Sequence, residues 1–171
     1  MLISLGNLKP NVHQSAFVAE NAQVIGDVTL DEKSSVWFSS VIRGDSGKVI
    51  IGKQSNVQDG CILHPEIERP VLLGEGVTLG HGVVAHSCNI GSNTLIGIRA
   101  VVLDGASVGE NCIIGAGSVV MEGTQIVDGT VAWGIPAKPV RKIKSDDLSL
   151  IKNAANQYVL RLIQYKSNTK C

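Results

Sequence analysis

The fold is decided by residues 90–126, which read IGSNTLIGIRAVVLDGASVGENCIIGAGSVVMEGTQI. A small or compact residue lies two positions before each aliphatic residue of a regular series. That series recurs at every sixth position, at Ile90, Ile96, Val102, Val108, Ile114, Val120 and Ile126. A sustained six-residue period is typical of a parallel β-helix, in which each unit forms one short strand and one turn.

The same period runs through the earlier part of the chain. Its aliphatic positions there are Val12, Val18, Val24, Leu30, Val36, Ile42, Ile51, Val57, Leu63, Leu73, Leu79 and Ala85. Three units close one triangular coil of about eighteen residues, so the nineteen units from Val12 to Ile126 predict about six coils around a narrow aliphatic core. Extra residues in the period predict loops that leave the coil at 45–49 and 64–70.

The period fades after Ile126, and the chain then changes character. Pro136 and Pro139 disfavour a helix or a central strand, so residues 131–144 are predicted to be a connector. From Ser145 onward apolar residues recur at helical spacing, which predicts an amphipathic helix over 145–166. We therefore expect three segments, namely a repeat domain at 1–130, the connector at 131–144, and a C-terminal helix with its tail at 145–171.

Composition narrows the possible partners and location. The 171 residues carry 15 basic and 15 acidic side chains, and no run of Lys or Arg indicates a nucleic acid or an anionic membrane as a partner. The chain lacks a run of about eighteen apolar residues, and we expect a cytoplasmic protein. Cys61, Cys88 and Cys112 each precede an aliphatic position by two residues, which predicts small inward-facing side chains, while Cys171 ends the tail.

The repeat also predicts where three of the four histidines lie. His64 and His86 each follow an aliphatic position and are three units apart, so they should share one corner, one coil or roughly 5 Å apart. Arg43 belongs to the same corner one coil earlier. His81 belongs to a different edge of the triangle. A metal site with all three imidazoles and an open water position would need a second subunit to supply His81, which predicts a cyclic oligomer.

At these residues the chain resembles the γ-class carbonic anhydrases within the hexapeptide-repeat superfamily. The resemblance covers nearly the whole chain and is far more specific than the repeat alone. It rests on the motifs at 43–45 (RGD) and 56–60 (NVQDG), on His64, on Gly80-His81 with His86 five residues later, and on 96–105.

The resemblance implies a left-handed parallel β-helix and a homotrimer. It further implies a zinc ion, or alternatively Fe²⁺ or Co²⁺, held by His64 and His86 of one chain and His81 of the next. Three neutral imidazoles leave the charge of the cation nearly intact and lower the pKa of a bound water to about 7. The expected reaction is attack of the resulting hydroxide on carbon dioxide, which gives bicarbonate.

The family pattern also suggests roles for other residues. Gln58 and Asn56 are expected near the metal-bound species, and Tyr158 is expected to line the pocket. Ser46 stands where efficient members can carry a glutamate for proton transfer, so weak turnover is expected. Charged contacts across the interface are expected from Arg43, Asp45 and Asp59.

Simpler roles and rival functions stay open at this point. Arg43 with Asp45 and Asp59 also fits a structural salt bridge, and packing alone would account for Tyr158. A transferase-like protein, namely an acyltransferase that uses coenzyme A, is the main rival, since that class shares the coil and a segment like 134–138. Such enzymes typically need one histidine as a general base rather than three. A thioesterase acting on CoA esters and a non-enzymatic, metal-stabilised trimer also fit the sequence.

Overall fold

The computed structural model describes residues 1–168. These residues form a parallel β-solenoid of about seven turns and one C-terminal helix, and this architecture matches a left-handed β-helix. The predicted fold class is therefore confirmed. The solenoid extends beyond the units counted from Val12 to Ile126 at both ends, because Leu2 pairs with Val24 at the N-terminal end and Val131 pairs with Ile113 at the C-terminal end.

The solenoid is triangular, and each of its three faces is a stack of parallel strands, to which the third face adds one antiparallel strand at its end. The first face contains β1 (Leu2–Ile3), the first parts of β4 (Gln23–Leu30) and β6 (Val41–Ile51), β8 (Ile62–His64), β11 (Val84–His86), β14 (Val101–Val102) and β17 (Val119–Val120). The second face contains β2 (Asn11–Val12), the later parts of β4 and β6, β9 (Val71–Leu73), β12 (Asn89–Ile90), β15 (Ser107–Val108) and β18 (Gln125–Ile126). The third face contains β3 (Phe17–Val18), β5 (Ser35–Val36), β7 (Asn56–Val57), β10 (Thr78–Leu79), β13 (Leu95–Ile96), β16 (Ile113–Ile114), β19 (Thr130–Gly134) and β20 (Ala137–Lys142).

The aliphatic positions of the repeat form the core, as predicted. From Val24 to Ile126 every one of them is buried, whereas Val12 and Val18 near the open end are only partly buried. The three cysteines Cys61, Cys88 and Cys112 are buried as well. Burial raises the pKa of the Cys61 thiol to about 12, so this side chain stays protonated and acts as a small apolar residue.

The core makes a prediction for stability. Ile96 is fully buried, so Ile96→Ala should lower the free energy of unfolding by about 2–5 kcal/mol, through lost burial and the cavity left behind. Ile67, which is 73% exposed in a loop, is the matched control, and its replacement by Ala should cost less than about 0.5 kcal/mol. Chemical denaturation of both variants measures the difference. Equal losses would contradict the assignment of Ile96 to the core.

One of the two predicted loops is wrong. Residues 45–49 do not leave the coil, because β6 continues through them as one strand from Val41 to Ile51. The pairing with β4 passes from Gly26 opposite Gly44 to Val28 opposite Val49, so the four residues 45–48 form an irregular bulge opposite Asp27. The backbones approach so closely there that a Cβ on Gly26 would collide with the Gly44 carbonyl oxygen. Residues 65–70, by contrast, form a loop between β8 and β9, as predicted for 64–70.

Most of the predicted connector at 131–144 forms a β-hairpin. β19 pairs in parallel with β16 and continues the third face, and β20 returns antiparallel to β19. Ala132, six residues after Ile126, is fully buried and extends the core period. Pro139 is tolerated because β20 is the last strand of its face and needs no donor on its outer side.

The C-terminal helix α1 (Ser145–Asn168) confirms the predicted helix. It packs against the third face through β5 and β10 and buries Ile151, Ala155, Tyr158 and Leu162. At its end the Lys166 ammonium donates to the carbonyl oxygens of Gln14 and Ala16, at 2.6 and 2.9 Å. Within residues 1–168 no helix is long and apolar enough to span a membrane. Residues 169–171 of the predicted tail, which include Cys171, lie outside the described residues.

Candidate metal centre

Two histidines meet at the corner between the first and second faces. His64 ends β8 and His86 ends β11, and the two residues are direct partners in the parallel register. His64 Nδ1 lies 3.0 Å from His86 Nε2. This confirms the predicted spacing of one coil. Arg43 occupies the expected place on the same corner, because Ile42 before it pairs with Leu63 before His64.

The outer nitrogen of each imidazole contacts a carboxylate. His64 Nε2 lies 3.1 Å from Asp45 Oδ1, and His86 Nδ1 lies 2.5 Å from Asp104 Oδ1. Asp45 also accepts a hydrogen bond from the Arg43 guanidinium at 2.5 Å. Burial acts to raise the pKa of Asp45, but the hydrogen bonds from Arg43 and His64 outweigh it and hold this pKa below its ordinary value. The carboxylates therefore leave His64 Nδ1 and His86 Nε2 facing each other.

This corner has the donor set and the spacing that a metal ion requires. Glu66, in the loop after β8, places Oε1 3.9 Å from His86 Nε2. One ligand atom from each of His64, Glu66 and His86 lies within 4.8 Å of the other two. Two nitrogens bound at about 2.0–2.1 Å in tetrahedral geometry are about 3.3 Å apart, close to the observed 3.0 Å between the imidazoles. The residues fit a zinc-type cation.

His81 lies on a different corner, between the third and first faces, in the turn that follows β10. Among residues 1–168 it is not part of the group formed by His64, Glu66 and His86. Its Nδ1 lies 2.8 Å from Asp59 Oδ2, and its side chain is exposed. The expectation that His81 cannot join the other two histidines within one chain is therefore supported. The other ring nitrogen of His81, Nε2, lies on the side of the imidazole away from Asp59.

Gln58 and Asn56 are close to His81 rather than to His64 and His86. β7 pairs with β10, so Gln58 and Asp59 lie level with Gly80 and His81, one coil earlier. Gln58 Nε2 donates to Asn56 Oδ1 at 3.2 Å, and Asn56 Nδ2 donates to Thr78 Oγ1 at 2.9 Å. All three side chains of this relay are buried. Gln58 also lines a largely apolar groove of about 360 Å³.

Comparison with known proteins identifies the family. A protein named carbonic anhydrase from Geobacillus kaustophilus is 42% identical, over 92% of this chain and 87% of its own length. Gamma carbonic anhydrase 1, mitochondrial, from Arabidopsis thaliana is 36% identical, over 92% of this chain and 59% of its own length. The chain belongs to the γ-class carbonic anhydrase family. The resemblance inferred from the motifs is thereby confirmed.

Two further comparisons place this γ-class family member in the wider superfamily. The family model described as bacterial transferase hexapeptide (six repeats) matches residues 87–131. A crystal structure from Bacillus cereus, whose description places that protein among acetyltransferases, is 42% identical with a TM-score of 0.97 and covers 98% of both chains. This chain therefore combines a coil that it shares with transferases and the motifs of the γ-class.

Tyr158, expected to line the pocket of a γ-class protein, lies in the contact between helix and solenoid. Its ring packs edge-on against Trp37 at 5.2 Å between centroids, and the Arg161 guanidinium lies 5.0 Å from the ring centre. Burial raises the pKa of Tyr158, and the negative charge of Asp59 acts in the same direction. These contacts account for packing, and a role of Tyr158 in the pocket stays a prediction.

The motifs of this γ-class member do not single out Asp104 as a partner of His86. The register pairs Ala85 with Val102, so Leu103 lies level with His86 and Asp104 follows one position later. Its carboxylate reaches back across the coil to the imidazole. The signal in the sequence would be an aspartate on the next coil, one position after the residue that lies level with the histidine.

Proposed function

We propose that the chain forms a homotrimer that binds one metal ion at each subunit interface and hydrates carbon dioxide. The observation that carries the proposal is the division of the site into two halves. One half is His64 with His86, and the other is His81 with Asp59 and Gln58. The first half presents His64 Nδ1 and His86 Nε2, 3.0 Å apart, the second half presents His81 Nε2, and neither half has three histidines.

The position of these halves favours a cyclic trimer. β11 begins three residues after His81 and ends at His86, so the first face separates the two corners. Outward-facing side chains on this face form an apolar ladder in direct register. The ladder is Val41, Ile62, Val84, Val101 and Val119, with Ile62 49% exposed. A head-to-tail contact along this face would bring one subunit's His81 to the next subunit's His64 and His86, and three such contacts close a ring.

In the proposed centre, His64 and His86 of one subunit and His81 of its neighbour hold the ion. Zinc, Fe²⁺ and Co²⁺ all suit imidazole ligands. When bound, such a cation acts as a Lewis acid that makes water acidic near neutral pH. Asp45, Asp104 and Asp59 each occupy one imidazole nitrogen, which leaves the other nitrogen as the ligand.

The surroundings of Gln58 suit a small apolar substrate and a polar product. Leu95, Ile98 and Ala154 line the groove beside it, so carbon dioxide meets few polar groups. The Asn56–Thr78 relay holds the Gln58 amide in place for a hydrogen bond to bicarbonate. In this proposal Glu66, which is exposed at the rim of the site, passes protons to solvent.

The test is metal content together with carbon dioxide hydration in one sample. We expect about one zinc or iron ion per chain after anaerobic purification without chelator, and hydration activity that chelation removes. Gln58→Ala should keep the metal and lower kcat/KM by roughly 10²–10³-fold if the amide stabilises developing charge. Unchanged kcat/KM would contradict the role of Gln58.

The acetyltransferase description of the Bacillus cereus relative supports a second candidate, acyl transfer from coenzyme A. The same sample separates the two functions. Turnover of acetyl-CoA without metal would favour the transferase, and hydrolysis of acyl-CoA with metal would favour a thioesterase. Metal without turnover would favour an accessory trimer. A cytoplasmic location stays a prediction, which the buried free thiols of Cys61, Cys88 and Cys112 support.

A further inference from the structure

The contact between Asp104 and His86 is shorter than the other two aspartate–histidine contacts within residues 1–168. Asp104 Oδ1 lies 2.5 Å from His86 Nδ1, whereas Asp59 and Asp45 lie 2.8 and 3.1 Å from their histidines. A carboxylate oxygen only accepts hydrogen bonds, so His86 Nδ1 must carry the proton. In the neutral imidazole the unprotonated nitrogen is then Nε2, which faces His64 Nδ1 at 3.0 Å.

The backbone holds Asp104 firmly in this position. Asp104 lies in the turn between β14 and β15, and its carbonyl oxygen accepts a hydrogen bond from the Gly123 amide at 2.8 Å. The Gly105 amide donates to the Ser87 carbonyl oxygen at 2.8 Å, which ties the same turn to the coil that carries His86. The side chain is 26% exposed, so bulk water competes only weakly with the imidazole. The turn is therefore part of the solenoid stack rather than a free loop.

We propose that Asp104 is the positioning residue of the metal centre that selects the Nδ1–H tautomer of His86 and presents Nε2 as the ligand. This inference rests on the proposed function. Aspartates that accept from the outer nitrogen of a ligating histidine fix its ring and raise its basicity, and their loss typically costs 10–100-fold in metal affinity or activity. The Asp45 carboxylate is shared between Arg43 and His64 and lies 3.1 Å from its histidine, whereas the Asp104 carboxylate lies 2.5 Å from His86.

Asp104→Asn tests the inference because it keeps the size of the side chain and changes its hydrogen bonding. The new amide can donate to Nδ1, which places the proton on Nε2 and blocks the ligand atom. Asp31→Asn is the matched control, since Asp31 follows Leu30 at a different corner of the coil. Two readouts are measured on the full chain, namely Zn²⁺ affinity by chelator competition and the ¹⁵N signals of the histidine rings in chelator-treated protein at pH 8.

We expect about a 10–100-fold weaker Zn²⁺ affinity for Asp104→Asn and wild-type affinity for Asp31→Asn. The wild-type ring signals of His86 should show the Nδ1–H tautomer, and the Asp104→Asn signals should shift toward Nε2–H. A merely structural role would leave the tautomer unchanged. Equal affinity and tautomer in wild type and Asp104→Asn would overturn the inference while the proposed function stands. A wild-type protein that binds no Zn²⁺ would instead overturn the proposed function.

Discussion

His86→Ala and His81→Ala are each expected to abolish stoichiometric metal binding. Zinc in a four-ligand structural site contributes about 10–16 kcal/mol, or roughly 3 kcal/mol per ligand, so loss of one imidazole should weaken binding by at least about a hundredfold, and the ion should dissociate during gel filtration. The coil should persist, because both side chains lie outside the buried aliphatic core. Elemental analysis after gel filtration measures metal per chain, and circular dichroism verifies the fold.

His13→Ala is the matched control for these two variants. His13 is exposed, and its Nδ1 contacts the Ser15 hydroxyl at 2.8 Å. Metal content should therefore remain at the wild-type value. Full metal occupancy in His81→Ala would place the ion within one chain, on His64, His86 and Glu66. That outcome would contradict a site shared between subunits.

Mixing two inactive variants should restore part of the metal sites. A His64→Ala subunit still carries His81, and a His81→Ala subunit still carries His64 and His86. In a random one-to-one mixture of cyclic trimers, about a quarter of the interfaces combine the two intact halves. Metal content should therefore rise from near zero to about a quarter of the wild-type value after subunit exchange.

The control for this experiment is a mixture of His64→Ala with His86→Ala. Both variants lack part of the same half, so every interface misses a ligand and no sites should return. Exchange itself is verified by native mass spectrometry with one variant isotopically labelled. If the first mixture exchanges fully and still binds no metal, the halves do not meet across an interface.

The core could be predicted from sequence because a single period determines which side chains point inward. Residues 45–49 show the limit of this reasoning. In the sequence an insertion appears only as extra residues, whether it leaves the coil as a loop or forms a bulge within a strand. The close approach of Gly26 and Gly44 beside the bulge depends on how β4 pairs with β6, which the period does not give. The hairpin at 130–142 is hard to predict because the core position there is Ala132, and an alanine marks the six-residue period less clearly than a larger aliphatic residue does.

The candidate site was predictable to the level of register. Counting units put His64 beside His86 and left His81 on another corner, and the structure agrees. The partners of the imidazoles were less accessible, because side-chain direction at a corner depends on the local turn. Asp104 reaches His86 from one position beyond its own row, an offset that the six-residue period does not contain.

The most direct test of a shared metal centre is the anomalous scattering of crystals of the zinc-loaded protein, measured on both sides of the zinc absorption edge. We predict one strong peak per chain, located at a three-fold-related interface and bonded to His64 and His86 of one subunit and His81 of the next. A peak bound within a single chain, or no peak at the histidine corner in zinc-saturated crystals, would contradict this account.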